Sequence, residues 1–323
     1  VRQPPIPILP IPILPIPILA GPTASGKTAL SLELGQHFPL EIISADAMMV
    51  YRGMDVGTAK PTLLERAAVP HHLIDLVEPN TDFSVAQWVL EAENTIQDVI
   101  SRGRIPLVVG GTGFYIRALK EGLPSAPPSD PEAIARLEVE LAENGLDAMV
   151  AELETASPED ATRAARNPRR VLRALEILRG SGRPPKDFVP QPPRFSYRTV
   201  ILMPEKTILD SRIEARTRKM LADGLIDEAR GLMPYFVRDA RRATSFQAIG
   251  YKQALDYLTG VFMDDGTRRD VPLEEVERRI TLATRQYAKR QATWFKRESD
   301  AITVDSVDAA RLELERLLEA WVS

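Results

Sequence analysis

Residues 16–28 read Ile-Pro-Ile-Leu-Ala-Gly-Pro-Thr-Ala-Ser-Gly-Lys-Thr, and this stretch decides the fold. Five apolar residues running into Gly21 suit a buried strand, Gly21 to Thr28 fits the pattern G-x-x-x-x-G-K-[ST], and Ala29, Leu30, Leu32 and Leu34 follow at mostly helical spacing. Strand, glycine loop and helix together make a diphosphate cradle. Gly21, Pro22, Thr23, Ala24, Ser25 and Gly26 form the loop around the anion, whose backbone N–H groups, Pro22 having none, face it; Lys27 meets its charge, and the Thr28 hydroxyl is the metal ligand, for magnesium. The alternative is a glycine turn that binds nothing. It would leave an unpaired Lys at a helix N-terminus, against the helix dipole. Backbone amides do not distinguish a nucleotide from another diphosphate, so the loop leaves the substrate open.

A second short strand is expected over Leu40–Ala45. Ser44-Ala45-Asp46 ends it at the rim where the glycine loop opens, so Asp46 is placed to accept a proton or help hold magnesium. Residues 50–61 form a polar, glycine-rich loop whose backbone entropy marks it as more than a connection; it is expected to touch substrate. Val85, Trp88, Val89, Ala92, Ile96, Val99 and Ile100 share a helical face, and Ile105–Val109 is a continuous apolar run closed by Gly110 and Gly111. Thr199–Met203 supplies another strand, and helices are expected over 208–233, 244–258 and 273–296. Prolines 124, 127, 128 and 131, and again 184, 185, 190, 192 and 193, bracket a helical insertion. The expected fold is α/β: a P-loop NTPase/kinase-like parallel sheet flanked by helices, with a small all-helical insertion domain. The divisions are a proline-rich arm over 1–14, core over 15–123, insertion over 124–193, and core with C-terminal helices over 194–323.

Composition narrows the classes. With 323 residues, 44% of them hydrophobic, the chain can bury a sizeable core. The absence of Cys excludes disulfides, thiolate metal sites and Cys nucleophiles, and fits a reducing compartment, with the cytoplasm as default. A formal net charge of −4 argues against wholesale coating of nucleic acid, so any RNA site must be a local basic face. The N-terminal apolar stretch is three tandem copies of Pro-Ile-Pro-Ile-Leu, and its prolines exclude a membrane helix; no membrane partner is expected. Only the last copy sits where a strand is needed.

Local basic stretches exist. Arg163, Arg166, Arg169, Arg170, Arg173, Arg179 and Arg183 face the single acid Glu176 within their span, and Arg285, Lys289, Arg290, Lys296 and Arg297 form a second cluster. Either is a phosphate-facing surface or a solvated helix face. Trp294 and Phe295 are core or stacking platforms. His71 and His72 lack a third ligand at metal spacing and read as structural, with Asp75 as partner.

The P-loop, Asp46 through Pro61, His71-His72-Leu73-Ile74-Asp75 and Gly110-Gly111-Thr112-Gly113-Phe114-Tyr115 stand in the order found in tRNA dimethylallyltransferases. Arg170-Val-Leu-Arg173-Ala-Leu-Glu176, Arg212 to Arg216, Gln247 to Lys252 and Lys289 to Phe295 also resemble that family's later motifs. The resemblance runs from Pro15 to about Arg297. It implies transfer of a dimethylallyl group from dimethylallyl diphosphate to the exocyclic amine of the adenosine 3′-adjacent to the anticodon, with tRNA bound through its anticodon stem-loop. By resemblance Asp46 orients or deprotonates the amine, while Lys27, Thr28, Thr112 and Arg216 hold the diphosphate with magnesium. The tRNA face implied comprises Asp46, Ala47, Met48, Met49, Thr112, Arg169, Arg170, Val171, Leu172, Arg173, Gln247, Gly250, Tyr251, Lys289, Arg290, Gln291, Thr293 and Trp294. Many relatives carry Ser and Gln after the Asp, where this chain has Ala47, Met48 and Met49, so base contacts there are expected to be apolar. The adenosine is expected to be flipped from its loop, and a monomer suffices. The competing readings are a small-molecule or nucleoside kinase, for which the same loop and strand-end Asp would serve, and a non-catalytic RNA-binding protein.

Overall fold

The computed structural model describes residues 14–238, 243–262 and 268–322. The proline-rich arm expected over 1–14 lies, except for Leu14, outside the described residues. The described residues form two compact units, one within 14–120 and 194–322 and the other of 121–193.

In the first unit the chain runs β1 (Ile16–Ala20), α1 (Lys27–His37), β2 (Leu40–Ala45), α2 (Leu63–Ala68), β3 (His71–His72), α3 (Val85–Ser101), β4 (Ile105–Gly110) and α4 (Gly113–Glu121). The main sheet has the order β3-β2-β4-β1, continued by β5 (Tyr197–Leu202) and β8 (Ile302–Val304), and every pairing in it is parallel. β1, β2 and β4 are buried at every residue because helices cover both sheet faces, which is why they are rich in apolar residues, with Glu41 and Ser44 of β2 as buried polar exceptions. Successive side chains alternate between faces: Ile16, Ile18 and Ala20 join the core beneath α3, whereas Leu19 joins the one beneath α1. The register sets Ala20 opposite Gly110 and Gly110 opposite Ala45. The loops leaving β1, β4 and β2 therefore emerge abreast at the carboxyl edge of the sheet, where such folds bind ligands.

The rest of this unit holds α8 (Lys206–Ala222), α9 (Leu225–Gly231), α10 (Met233–Arg238), α11 (Tyr251–Thr259), a short pair of strands β6 (Val261–Phe262) and β7 (Arg268–Arg269), α12 (Leu273–Phe295) and α13 (Val307–Val322). The single helix expected over 208–233 is broken after Ala222, where Gly224 takes φ 98° between α8 and α9. The helix expected from 244 begins at Tyr251 instead, after a 3₁₀ turn over Thr244–Gln247 and a left-handed Gly250. Both breaks fall at glycines able to hold a positive φ.

The second unit packs α5 (Pro131–Ala156), α6 (Pro158–Ala164) and α7 (Pro168–Ser181) around Leu137, Met149, Val150, Leu153, Val171 and Leu175. α7 starts on Pro168 with the Asn167 side chain accepting from Arg170 N, and stops where Gly182 turns left-handed. Among the described residues no helix is long and apolar enough to cross a membrane.

Candidate active site

The glycine loop between β1 and α1 is held from three sides. A Cβ on Gly21 would stand 2.3 Å from Leu202 O, so the loop leaves β1 pressed against β5, and Ala24 is held at φ 62°. Gln291 on α12 accepts from Thr23 N (2.9 Å) and donates to Gly111 O (2.7 Å), tying this loop to the one after β4. Arg212 donates to Ser25 O (2.8 Å) from α8. Lys27 Nζ lies over the loop's own carbonyls, at 2.9 Å from Gly21 O and 2.7 Å from Pro22 O. Burial pushes its ammonium down to about 7; the Asp46 carboxylate pulls it up in part, and Arg216 adds to the depression. Arg216, one helical turn after Arg212, donates to Thr23 Oγ1 and to Thr58 O, both at 3.2 Å, and burial also holds its guanidinium below the usual range.

Asp46 follows β2 directly. Its Oδ1 accepts from Met48 N at 2.9 Å, and among the described residues no donor meets the other oxygen. Thr112, leaving β4, accepts at Oγ1 from Ala47 N (3.0 Å), so the two strand-end loops are stitched together beside the carboxylate. Two cavities meet here. One of about 300 Å³ is lined by Thr23 to Thr28 together with Arg212 and Gln291; the other, of about 330 Å³, by Ala47, Met48, Ile213, Met220, Ala248, Ile249 and Ile280. Thr23, Asp46, Arg216 and Tyr287 line both. A polar chamber rich in donors for an anion therefore opens, past one carboxylate and one guanidinium, on a chamber with apolar walls. Tyr287 was not anticipated; burial and then the Asp46 charge push its hydroxyl up to about 12, so it stands as a donor. Its spacing four residues before Gln291 on one helical face was the available signal.

The glycine-rich loop after β2 forms the remaining wall. Lys60 Nζ meets Asp55 Oδ1 (2.8 Å) and Asp75 Oδ1 (2.6 Å) in the interior, and Arg66 takes the second Asp75 oxygen (2.7 Å). This corrects the expected histidine partner: Asp75 serves Lys60 and Arg66, whereas His72 Nε2 meets the buried Glu41 (2.7 Å) and His71 Nδ1 meets Val69 O (2.7 Å).

Residues expected on a tRNA face divide sharply. Ala47, Met48, Thr112, Gln247 and Arg290 line the second cavity, and Met49 the first. Lys289 and Thr293 are exposed on α12. Gln291 is instead buried as the brace just described. Gly250 and Tyr251 are also buried, with Tyr251 fully enclosed. Trp294 packs its ring on Gly113, where a Cβ would stand 2.3 Å from the indole, and Phe295 is core. In the helical unit Val171 and Leu172 are core residues because they point down the apolar stripe of α7, so they offer nucleic acid no surface. Arg173 pairs with Glu176, Arg179 with Glu140 and Glu152, Arg163 with Glu159 and Arg166 with Asp147, acids mostly brought in by α5 and α6. Arg169 and Arg170 are exposed, and among the described residues neither makes an ion pair.

Fold and site together define a P-loop group-transfer enzyme. A family model described as IPP transferase matches residues 49–298. The chain is 52% identical over 269 residues to a tRNA dimethylallyltransferase of Thermus thermophilus, spanning 83% of this chain and 85% of that protein. It is 49% identical over 292 residues to one of Deinococcus radiodurans, spanning 90% and 92%. Among solved structures, the full-length tRNA isopentenylpyrophosphate transferase of Bacillus halodurans superposes with a TM-score of 0.66 at 36% identity, over 95% of this chain and 98% of that one. A eukaryotic dimethylallyltransferase captured acting on tRNA gives 0.75 at 29% identity, over 90% and 74%. The chain belongs to the IPP transferase family.

Proposed function

We propose that this enzyme transfers a dimethylallyl group from dimethylallyl diphosphate to the exocyclic amine of the adenosine 3′-adjacent to the anticodon in tRNA, releasing pyrophosphate. The observation that carries the reading is the junction of the two cavities at Asp46 and Arg216. The diphosphate lies in the glycine-loop chamber with Lys27 and Arg216 against it, and the acceptor base, flipped from its loop, enters the apolar chamber. The amine nitrogen attacks C1 of the allyl group, the C1–O bond breaks, and the amine proton passes to Asp46. Negative charge gathers on the departing diphosphate in the transition state, so cations fixed around it lower the barrier more than they tighten ground-state binding. The kinase alternative leaves the second chamber's apolar walls beside Asp46 without a purpose, and family membership favours prenyl transfer.

Magnesium fits this donor set. Thr28 is exposed at the start of α1 and shares its chamber with Asp46; a hydroxyl and a carboxylate are hard oxygen donors of the kind magnesium takes, so Thr28, with Asp46 beside it, would hold the ion against the diphosphate. The ion would neutralise the leaving group. On the nucleic-acid side, exposed Arg169, Arg170 and Lys289 contact phosphates, while Arg290 and Gln247 stand at the chamber where the base enters.

The test is incubation of the protein with magnesium, labelled dimethylallyl diphosphate and unmodified tRNA, followed by nucleoside analysis. Label on a single anticodon-loop adenosine is the expected result. ATP consumption without label would return the chain to the kinase class.

A further inference from the structure

The acid that organises the glycine-rich wall lies far away in sequence. Glu228 on α9 accepts from the backbone amides of Asp55 (3.0 Å), Val56 (2.9 Å) and Gly57 (3.2 Å), and takes a fourth hydrogen bond from the Tyr251 hydroxyl. Gly57 N also donates to that hydroxyl oxygen (3.1 Å), so the tyrosine bridges loop and carboxylate. Among the described residues Glu228 makes no ion pair with Lys or Arg. Its charge is answered by three converging backbone dipoles, an arrangement that fixes backbone rather than neutralising a neighbour. Fit at this point is close, since a Cβ on Gly57 would stand 2.4 Å from the Tyr251 ring. The next residue, Thr58, offers the carbonyl that holds Arg216 Nη2, and Gly57 and Thr58 line the apolar chamber.

We propose that Glu228 is a positioning residue for the transfer reaction, fixing the Gly57–Thr58 backbone so that Arg216 is held over the junction of the two chambers. The proposal rests on the reading of Arg216 as a diphosphate-holding residue. Glu228 touches neither substrate; it acts through one peptide unit. Tyr251 has the companion role: burial and the adjoining carboxylate keep its hydroxyl protonated, so it donates to Glu228 while accepting from Gly57.

Misplacement of a positioned group by about 1 Å costs on the order of 10² in rate. Glu228→Ala is therefore expected to lower kcat on the order of 10², leave KM for tRNA nearly unchanged and weaken inorganic pyrophosphate binding measured by calorimetry. Glu228→Gln keeps the length and one acceptor oxygen and should restore part of both losses. The deciding measurement is the double variant Glu228→Ala with Arg216→Ala: if Glu228 works through Arg216, the pair is no slower than Arg216→Ala alone. Losses that multiply, or wild-type kcat and pyrophosphate affinity in Glu228→Ala, overturn the proposal. Should Glu228→Ala not fold, Tyr251→Phe removes only the bridging hydroxyl and should show a smaller loss of the same kind; unchanged kcat and pyrophosphate affinity there also overturn it. Pyrophosphate binding is read without any acceptor. A protein that prenylates no tRNA but binds pyrophosphate in a Glu228-dependent manner would sink the proposed function and leave this role standing.

Discussion

The glycine-loop chamber of the core unit and the surface of the helical unit hold their cations in opposite ways. In the core, Lys27 and Arg216 are drawn into a cavity where carbonyls and a hydroxyl are their hydrogen-bond partners, and burial depresses both. In the helical unit, Arg179 lies at the surface with two glutamates around it and is held firmly charged. A cation left without a carboxylate partner inside a cavity is poised for an anion that arrives from outside, while a paired surface cation is already satisfied. For an anion in the glycine-loop chamber, paired surface arginines such as Arg179 thus matter less than two cations with no carboxylate in direct contact.

The comparison can be broken most forcefully at Asp46, which shares the cavity junction. Asp46→Ala should lower kcat by about 10² to 10⁴, the usual cost of losing a general base, while filter binding still detects tRNA. Wild-type turnover would remove Asp46 from the reaction.

Lys27 gives a test in protons. Its folded value of about 7 lies below its ordinary 10.5, so between those values the unfolded chain binds the proton more readily. The burial cost is thus fully present below about pH 7 and fades as pH rises toward 10.5, so stability should climb over that window. Lys27→Met should flatten that slope in denaturant titrations. A bound diphosphate adds counter-charge beside the ammonium, so calorimetry at pH 8 in buffers of different ionisation enthalpy should show a proton uptake that Lys27→Met abolishes. The same uptake in Lys27→Met would mean that the ammonium is charged throughout.

Smaller effects separate the arginines. Arg169→Glu or Arg170→Glu should weaken tRNA binding and reduce its logarithmic salt slope by about 1 per lost phosphate contact. An unaltered slope would assign both to a solvated face. Arg179→Ala, by contrast, should leave tRNA affinity alone and cost about 1 kcal/mol or less of stability in a melt, because its partners are partly exposed acids.

The glycine loop and the strand-end Asp46 were legible because each depends on residues close in sequence, whereas Arg212 and Arg216 stood out only through the family resemblance. The roles of Gln291 and Glu228 were not legible, since their partners are 180 to 268 and about 172 residues away. Periodicity placed a helix over 273–296 correctly but could not say that Gln291 faces the glycine loop while Lys289 faces solvent. The same limit applies to the arginine stretch: Glu176 was the one acid within its span, Glu159 stands one helical turn before Arg163, and Glu140, Asp147 and Glu152 became neighbours only when the helices packed. Gly224 lay in plain view within an otherwise helical run, yet an internal glycine is often tolerated, and its left-handed φ is what the structure adds.

The strand register carries a last consequence. Ala20, Gly110 and Ala45 stand level across three adjacent strands. The cradle proposed for the leaving group and the carboxylate proposed to receive a proton are thus two steps apart on a lattice whose pitch, about 4.8 Å, is set by backbone hydrogen bonds. The sheet works as a ruler. Side chains lining either chamber can change which molecules fit, while the separation between the two reacting ends stays fixed by the backbone beneath them.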